Sequence, residues 1–227
     1  MRTYEVSRID AARAVPLTGA VDGTVWERAN VARLDEYAWG DEPGPETTVR
    51  ALYDTKALYL QFHVEDGEIT ADVTELNGPT FEDSSVECFA TPEPPDDGSS
   101  GRYFNFEANC CGAFKLAWQE PDWRERDVGR DLVAPADAAA VEVETSVPGP
   151  TKTASPDDDS WWLAARLPVS TLRSLTGLPL ELDSETVWRG NFYRSGLPDA
   201  QKGTWNRIEL PEPTYHSPEF FGRIEFE

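Results

Sequence analysis

Phe81 stands directly before Glu82-Asp83-Ser84-Ser85-Val86-Glu87, and Tyr215 directly before His216-Ser217-Pro218-Glu219-Phe220-Phe221-Gly222. A flat side chain beside hydroxyls and carboxylates suits a ligand that is apolar on its faces and polar round its rim, as a sugar ring is. The bland alternative for both rings is packing in the core or along an edge. Glu87 alternates with apolar Val86 and Cys88, which turns it away from the core side of a strand. There it could accept from sugar hydroxyls, remain a solvated carboxylate, or bridge to Arg50 or Arg194.

Other chemistry has weaker support. Glu87 and Glu107 are the pair of acids best placed for glycoside hydrolysis, which needs two carboxylates about 5–10 Å apart. Among 42 acidic residues, however, a chance pair is expected. His63 and His216 are the only histidines, and no Gly-x-Ser-x-Gly elbow accompanies them. Cys88, Cys110 and Cys111 form neither a disulfide framework nor zinc spacing. No residue is nominated as catalytic.

The elements that must carry these residues read as strands. Thr48–Tyr53 and Leu58–Val64 flank the turn Asp54-Thr55-Lys56 and predict a hairpin. Ser85–Ala90, Tyr103–Glu107, Trp161–Leu167, Thr186–Tyr193 and Gly222–Phe226 also alternate. Val169–Leu175, after Pro168, is the one short helix expected. Residues 121–160, rich in Pro, Ala and acid, predict a long irregular excursion containing one strand, Ala140–Val147. Many short strands without βαβ alternation predict an all-β fold, a two-sheet antiparallel β-sandwich, with residues 1–227 as one domain.

Composition narrows the partners. The net charge of −22 repels phosphate backbones and anionic bilayers, so neither nucleic acid nor membrane is expected. Positive charge is almost all arginine, with lysine only at 56, 115, 152 and 202. Acidity of this kind fits a halophilic protein in a salty cytoplasm; calcium binding and an ordinary solvated surface are the alternatives. The N-terminus has no apolar signal core, which predicts a cytoplasmic protein, or an extracellular one if a leader has been removed.

Taken in order, the motifs resemble a known family. They are Val21-Asp22-Gly23 with Trp26 and Ala29; Thr48-Val49-Arg50-Ala51-Leu52-Tyr53-Asp54 with Leu58-Tyr59-Leu60; and Ser84-Ser85-Val86-Glu87-Cys88-Phe89. Tyr103 to Asn109, Asn191-Phe192-Tyr193-Arg194, Trp205 and His216 to Gly222 complete the set. The chain resembles family 9 carbohydrate-binding modules, in particular their stand-alone, family 9-like relatives. The resemblance implies an immunoglobulin-like or jelly-roll sandwich. It also implies non-catalytic binding of a mono- or oligosaccharide end between two aromatics, here Phe81 and Tyr215, in the service of glycan degradation. Polar contacts are implied for Glu87, Asn105, and Tyr193 or Arg194. Characterised members use two tryptophans where this chain has Phe and Tyr, and an arginine where it has Asn105.

No cofactor is expected. Calcium is structural in some members of that family, but no compact loop of spaced carboxylates allows ligands to be assigned. Asp96-Asp97 and Asp157-Asp158-Asp159 read as solvated loops. The competing reading on the same fold is a protein-interaction or assembly domain; a glycoside hydrolase is a more distant one.

Overall fold

A computed structural model describes residues 1–11, 14–40, 44–94, 101–196 and 201–227. Asp96 and Asp97, with part of the loop expected after Ala90, lie outside the described residues. The described chain is mostly β, and each alternating segment noted in the sequence forms a strand. The strands are β1 Thr3–Arg8, β2 Val31–Leu34, β3 Thr47–Tyr53, β4 Ala57–Val64, β5 Ser85–Thr91, β6 Tyr103–Asn109 and β7 Phe114–Gln119. They continue with β8 Arg130–Leu132, β9 Glu142–Thr145, β10 Trp161–Pro168, β11 Val187–Ser195, β12 Gly203–Thr204 and β13 Gly222–Phe226. The helices are α1 Trp123–Arg126, α2 Pro135–Ala138 and α3 Val169–Thr176. The expected helix is α3; two further single turns and two strands occupy the 121–160 segment.

Hydrogen bonding follows one path, β8-β7-β6-β5-β11-β13-β1-β3-β4-β10-β9, with β12 on β11 and β2 on β3. β1 is the joint. Its first residues, Thr3 to Val6, run parallel to β13, and its last, Ser7 and Arg8, run parallel to β3. The other pairings are antiparallel, including the expected β3–β4 hairpin.

The path curls so that strands far apart along it meet through their side chains. Phe62 of β4 lies 6.4 Å from Phe192 of β11, centroid to centroid, while on the neighbouring strands β11 and β13 Trp188 lies 4.9 Å from Phe226. These belong to one core cluster that also holds Val86, Cys88, Phe104, Phe106, Leu116 and Leu163. Burying such side chains contributes about 1.5–3 kcal/mol each, which fixes the strand faces. A one-residue slip would expose them and bury their polar neighbours.

That alternation sets up the site. On β5, Val86, Cys88 and Ala90 join the core, leaving Glu87 and Phe89 on the opposite face. On β6, Phe104, Phe106 and Ala108 join it, leaving Tyr103, Asn105 and Glu107 opposite. Phe89, Tyr103 and Tyr193 start a separate apolar cluster there, completed by Ile208, Tyr215 and Phe221.

Candidate functional site

Strand register draws a row of side chains across four strands. Tyr193 of β11 is opposite Glu87 of β5, Glu87 is opposite Glu107 of β6, and Glu107 is opposite Lys115 of β7. All four lie on the face turned away from the main core. The Lys115 ammonium is 3.1 Å from Glu107 Oε2, and both side chains are buried. Thr80 Oγ1 donates to the same oxygen at 3.4 Å, while Asn105 Nδ2 donates to Oε1. Asn105 is steadied in turn by Gln119, whose Nε2 donates to its Oδ1 at 2.7 Å.

Glu87 is 1% exposed and accepts from Ser195 Oγ at 2.9 Å. It forms no salt bridge to Arg50 or Arg194, both of which the sequence offered. Burial pushes its pKa up, and the neighbouring Glu107 adds to the rise. A carboxyl in that state donates as well as accepts hydrogen bonds.

Over this floor opens a cavity of about 660 Å³, lined by Phe81, Glu82, Glu87, Glu107, Arg124, Ser195, Lys202, Tyr215 and His216 among others. Phe81 sits in a 3-10 turn, Thr80–Glu82, and is 41% exposed. The Lys115 ammonium lies 5.3 Å from its ring centre. The Asp83-Ser84 part of the motif is structural. Asp83 accepts from the amides of Asp72 and Val73 and from Asn109, and Ser84 Oγ bonds Thr70 N and Glu68 O.

Tyr215 lines the same cavity but is only 7% exposed. Its ring stacks on Tyr193 at 4.2 Å and 14°, and its hydroxyl donates to Arg194 O at 2.6 Å. Lys202 Nζ lies 5.6 Å from its ring centre. His216 closes the neighbouring wall, with Nδ1 2.8 Å from the Tyr103 hydroxyl and Trp123 edge-on at 5.3 Å. Burial holds its pKa well below 6.5, helped by the positive charges of Arg124, Arg130 and Lys115.

The structure thus brings Phe81, Glu87 and Tyr215 to one cavity. Asn105 and Tyr193 lie directly behind it, the first orienting Glu107 and the second backing Tyr215. Arg194 falls elsewhere. One position along β11 from Tyr193, it takes the opposite strand face, where its guanidinium is fully buried 2.5 Å from Asp66 Oδ2. Gln201 accepts its other bonds through O and Oε1, at 3.0 Å each. Parity along the strand is the physical reason that Tyr193 and Arg194 cannot serve the same face. Lys115, Arg124, Ser195 and Lys202 reach the site without a motif of their own to announce them.

Among the described residues no three His, Cys, Asp or Glu side chains group closely enough to hold a metal ion. Asp158 of the acidic run accepts from the amides of Ile69 and Ser155. No described helix is long and apolar enough to cross a membrane.

Residues 20–226 match the sequence model described as Carbohydrate-binding family 9. A Bacteroides uniformis protein assigned as carbohydrate-binding superposes with a TM-score of 0.83 at 27% identity, covering 100% of this chain and 99% of that one. A family 9 module of Caldicellulosiruptor kristjanssonii, solved with glucose, gives a TM-score of 0.63 at 15% identity over 100% and 96%. With cellotriose the values are 0.61 and 16%, over 100% and 94%. An extracellular protein of Arthroderma benhamiae is 23% identical over 204 residues, 86% of this chain and 85% of that one.

Proposed function

The chain belongs to carbohydrate-binding family 9, and on that footing we propose that it holds the end of a mono- or oligosaccharide, without catalysis, in the cavity between Phe81 and Tyr215. The observation that carries this reading is the convergence of Phe81, Glu87 and Tyr215 on one opening, although they are up to 134 positions apart in the chain. Phe81 supplies an exposed ring face, and Tyr215 a rim held rigid from behind. Glu87 and Glu107 supply hydroxyl partners on the floor. Asn105 positions Glu107 and Tyr193 backs Tyr215, rather than touching the sugar.

The same proposal takes residues 1–227 as one domain and the curled path as two facing sheets of an immunoglobulin-like or jelly-roll sandwich joined at β1. The contact between Phe62 and Phe192 supports that layering. It also places the module in the service of glycan degradation.

One observation favours the protein-interaction reading, namely the burial of Tyr215, which leaves little of its ring for stacking. Calorimetry separates the two. Titration with glucose and cellotriose, the sugars on the Caldicellulosiruptor module, gives saturable heat if the cavity is a sugar site. Absence of binding by any sugar of a monosaccharide and short-glycan panel at millimolar concentration would remove it in favour of the interaction domain.

A further inference from the structure

The charges around the cavity run against those of the chain. The protein carries 42 acidic and 20 basic residues, yet Arg124 and Lys202 line this opening and Lys115 stands behind it. Of only four lysines, two lie over the two aromatic rings, Lys115 at Phe81 and Lys202 at Tyr215. The carboxylates present are compensated or screened. Glu107 is paired to Lys115, Glu87 is buried in a setting that favours its neutral form, and Glu82 is exposed to water.

The neighbouring wall is more positive still. Trp123 carries the guanidinium of Arg124 at 5.6 Å and that of Arg130 at 4.5 Å from its ring centre. The charged groups acting on His216 there are Arg124, Arg130 and Lys115, all cations. Arg124 is exposed and takes part in none of the ion pairs among the described residues, whereas Arg126 on the same turn bridges Glu120 and Asp122. A guanidinium 5.6 Å from an indole ring centre and lining a cavity offers the forked donor pair that suits a planar carboxylate.

We propose that the sugar taken by this cavity is acidic, a hexuronic acid or a chain ending in one, with its carboxylate held by Arg124; this rests on the sugar-binding reading of the same cavity. The carboxyl group of a hexuronic acid lies on the rim of the pyranose, so the ring faces stay available to Phe81 and Tyr215. The hydroxyl edge meets Glu87 and Glu107, and the carboxylate edge meets the Arg124 wall.

The test is calorimetric titration of glucose against glucuronic acid and of galactose against galacturonic acid, in one buffer. At least one acid should bind about tenfold tighter than its neutral counterpart, as a charge-assisted pair provides. Added salt should shrink that ratio. Arg124→Gln should bring it close to one and Arg124→Lys should restore part of it, with unchanged melting temperatures because Arg126 still anchors the turn. Neutral sugars binding as well as acidic ones, or a preference that survives Arg124→Gln, overturns this inference and leaves the sugar site standing. Binding of neither class overturns both.

Discussion

Tyr193 lies face to face with Tyr215, their ring centres 4.2 Å apart and their planes inclined by 14°. The Tyr193 hydroxyl donates to Tyr215 O at 3.2 Å, and the Tyr215 hydroxyl donates to Arg194 O at 2.6 Å. Two hydrogen bonds to backbone carbonyls and a stack therefore fix Tyr215 at the cavity wall. Tyr193→Ala should cost about 3–5 kcal/mol in urea unfolding, as other buried aromatic deletions do. Tyr193→Phe keeps the stack and should cost about 1 kcal/mol or less, since Ser217 N still donates to Tyr215 O. Sugar affinity should survive the second change and fall with the first.

Glu87 makes stability depend on pH with a sign opposite to that of a salt-bridged acid. Burial, then Glu107, raise its pKa in the folded protein to about 8, above the 4.5 of the free group. Between those values the folded state binds the extra proton. Its contribution is therefore complete below about pH 4.5 and is lost as pH rises through about 8. The slope amounts to at most about 1.4 kcal/mol per pH unit for one proton. Above the histidine range, urea midpoints from pH 7 to 9 should decline for the parent and flatten for Glu87→Gln, and the variant should be the more stable of the two at pH 9. Parallel curves would show that Glu87 ionises freely in the folded protein.

The Lys115–Glu107 pair is buried at 3.1 Å, with side chains 6% and 4% exposed. Removing one partner strands a charge away from water, at a cost of about 3–5 kcal/mol. Lys115→Met should thus be strongly destabilising, while Glu107→Gln in that background should recover much of the loss. The double-mutant cycle checks this, because two independent residues would simply add.

Much of this architecture is legible in the chain. Tyr103-Phe104-Asn105-Phe106-Glu107 alternates without interruption, and β6 forms where that pattern lies. Thr48–Tyr53 and Leu58–Val64 pair as the intervening Asp54-Thr55-Lys56 requires, with Asp54 Oδ1 accepting from the amides of Lys56 and Ala57. β7 alternates too, but Lys115, Ala117 and Gln119 on its outer face are weak strand formers, so the segment gives little signal. The site was half legible for a related reason. Phe81 and Tyr215 carry local motifs, whereas Lys115 enters only through a register across β6 and β7 that no short stretch encodes. Arg194 shows the reverse failure. Its motif pointed to the site, and strand parity sent it to Asp66 instead.

Phe81 offers the most direct measurement, because its ring is 41% exposed and its loss leaves the core intact. The account predicts that the parent protein binds at least one sugar of a monosaccharide and short-glycan panel with a Kd between micromolar and millimolar. It also predicts that Phe81→Ala weakens that binding about five- to tenfold without lowering the melting temperature. Binding that is unchanged in Phe81→Ala would contradict it.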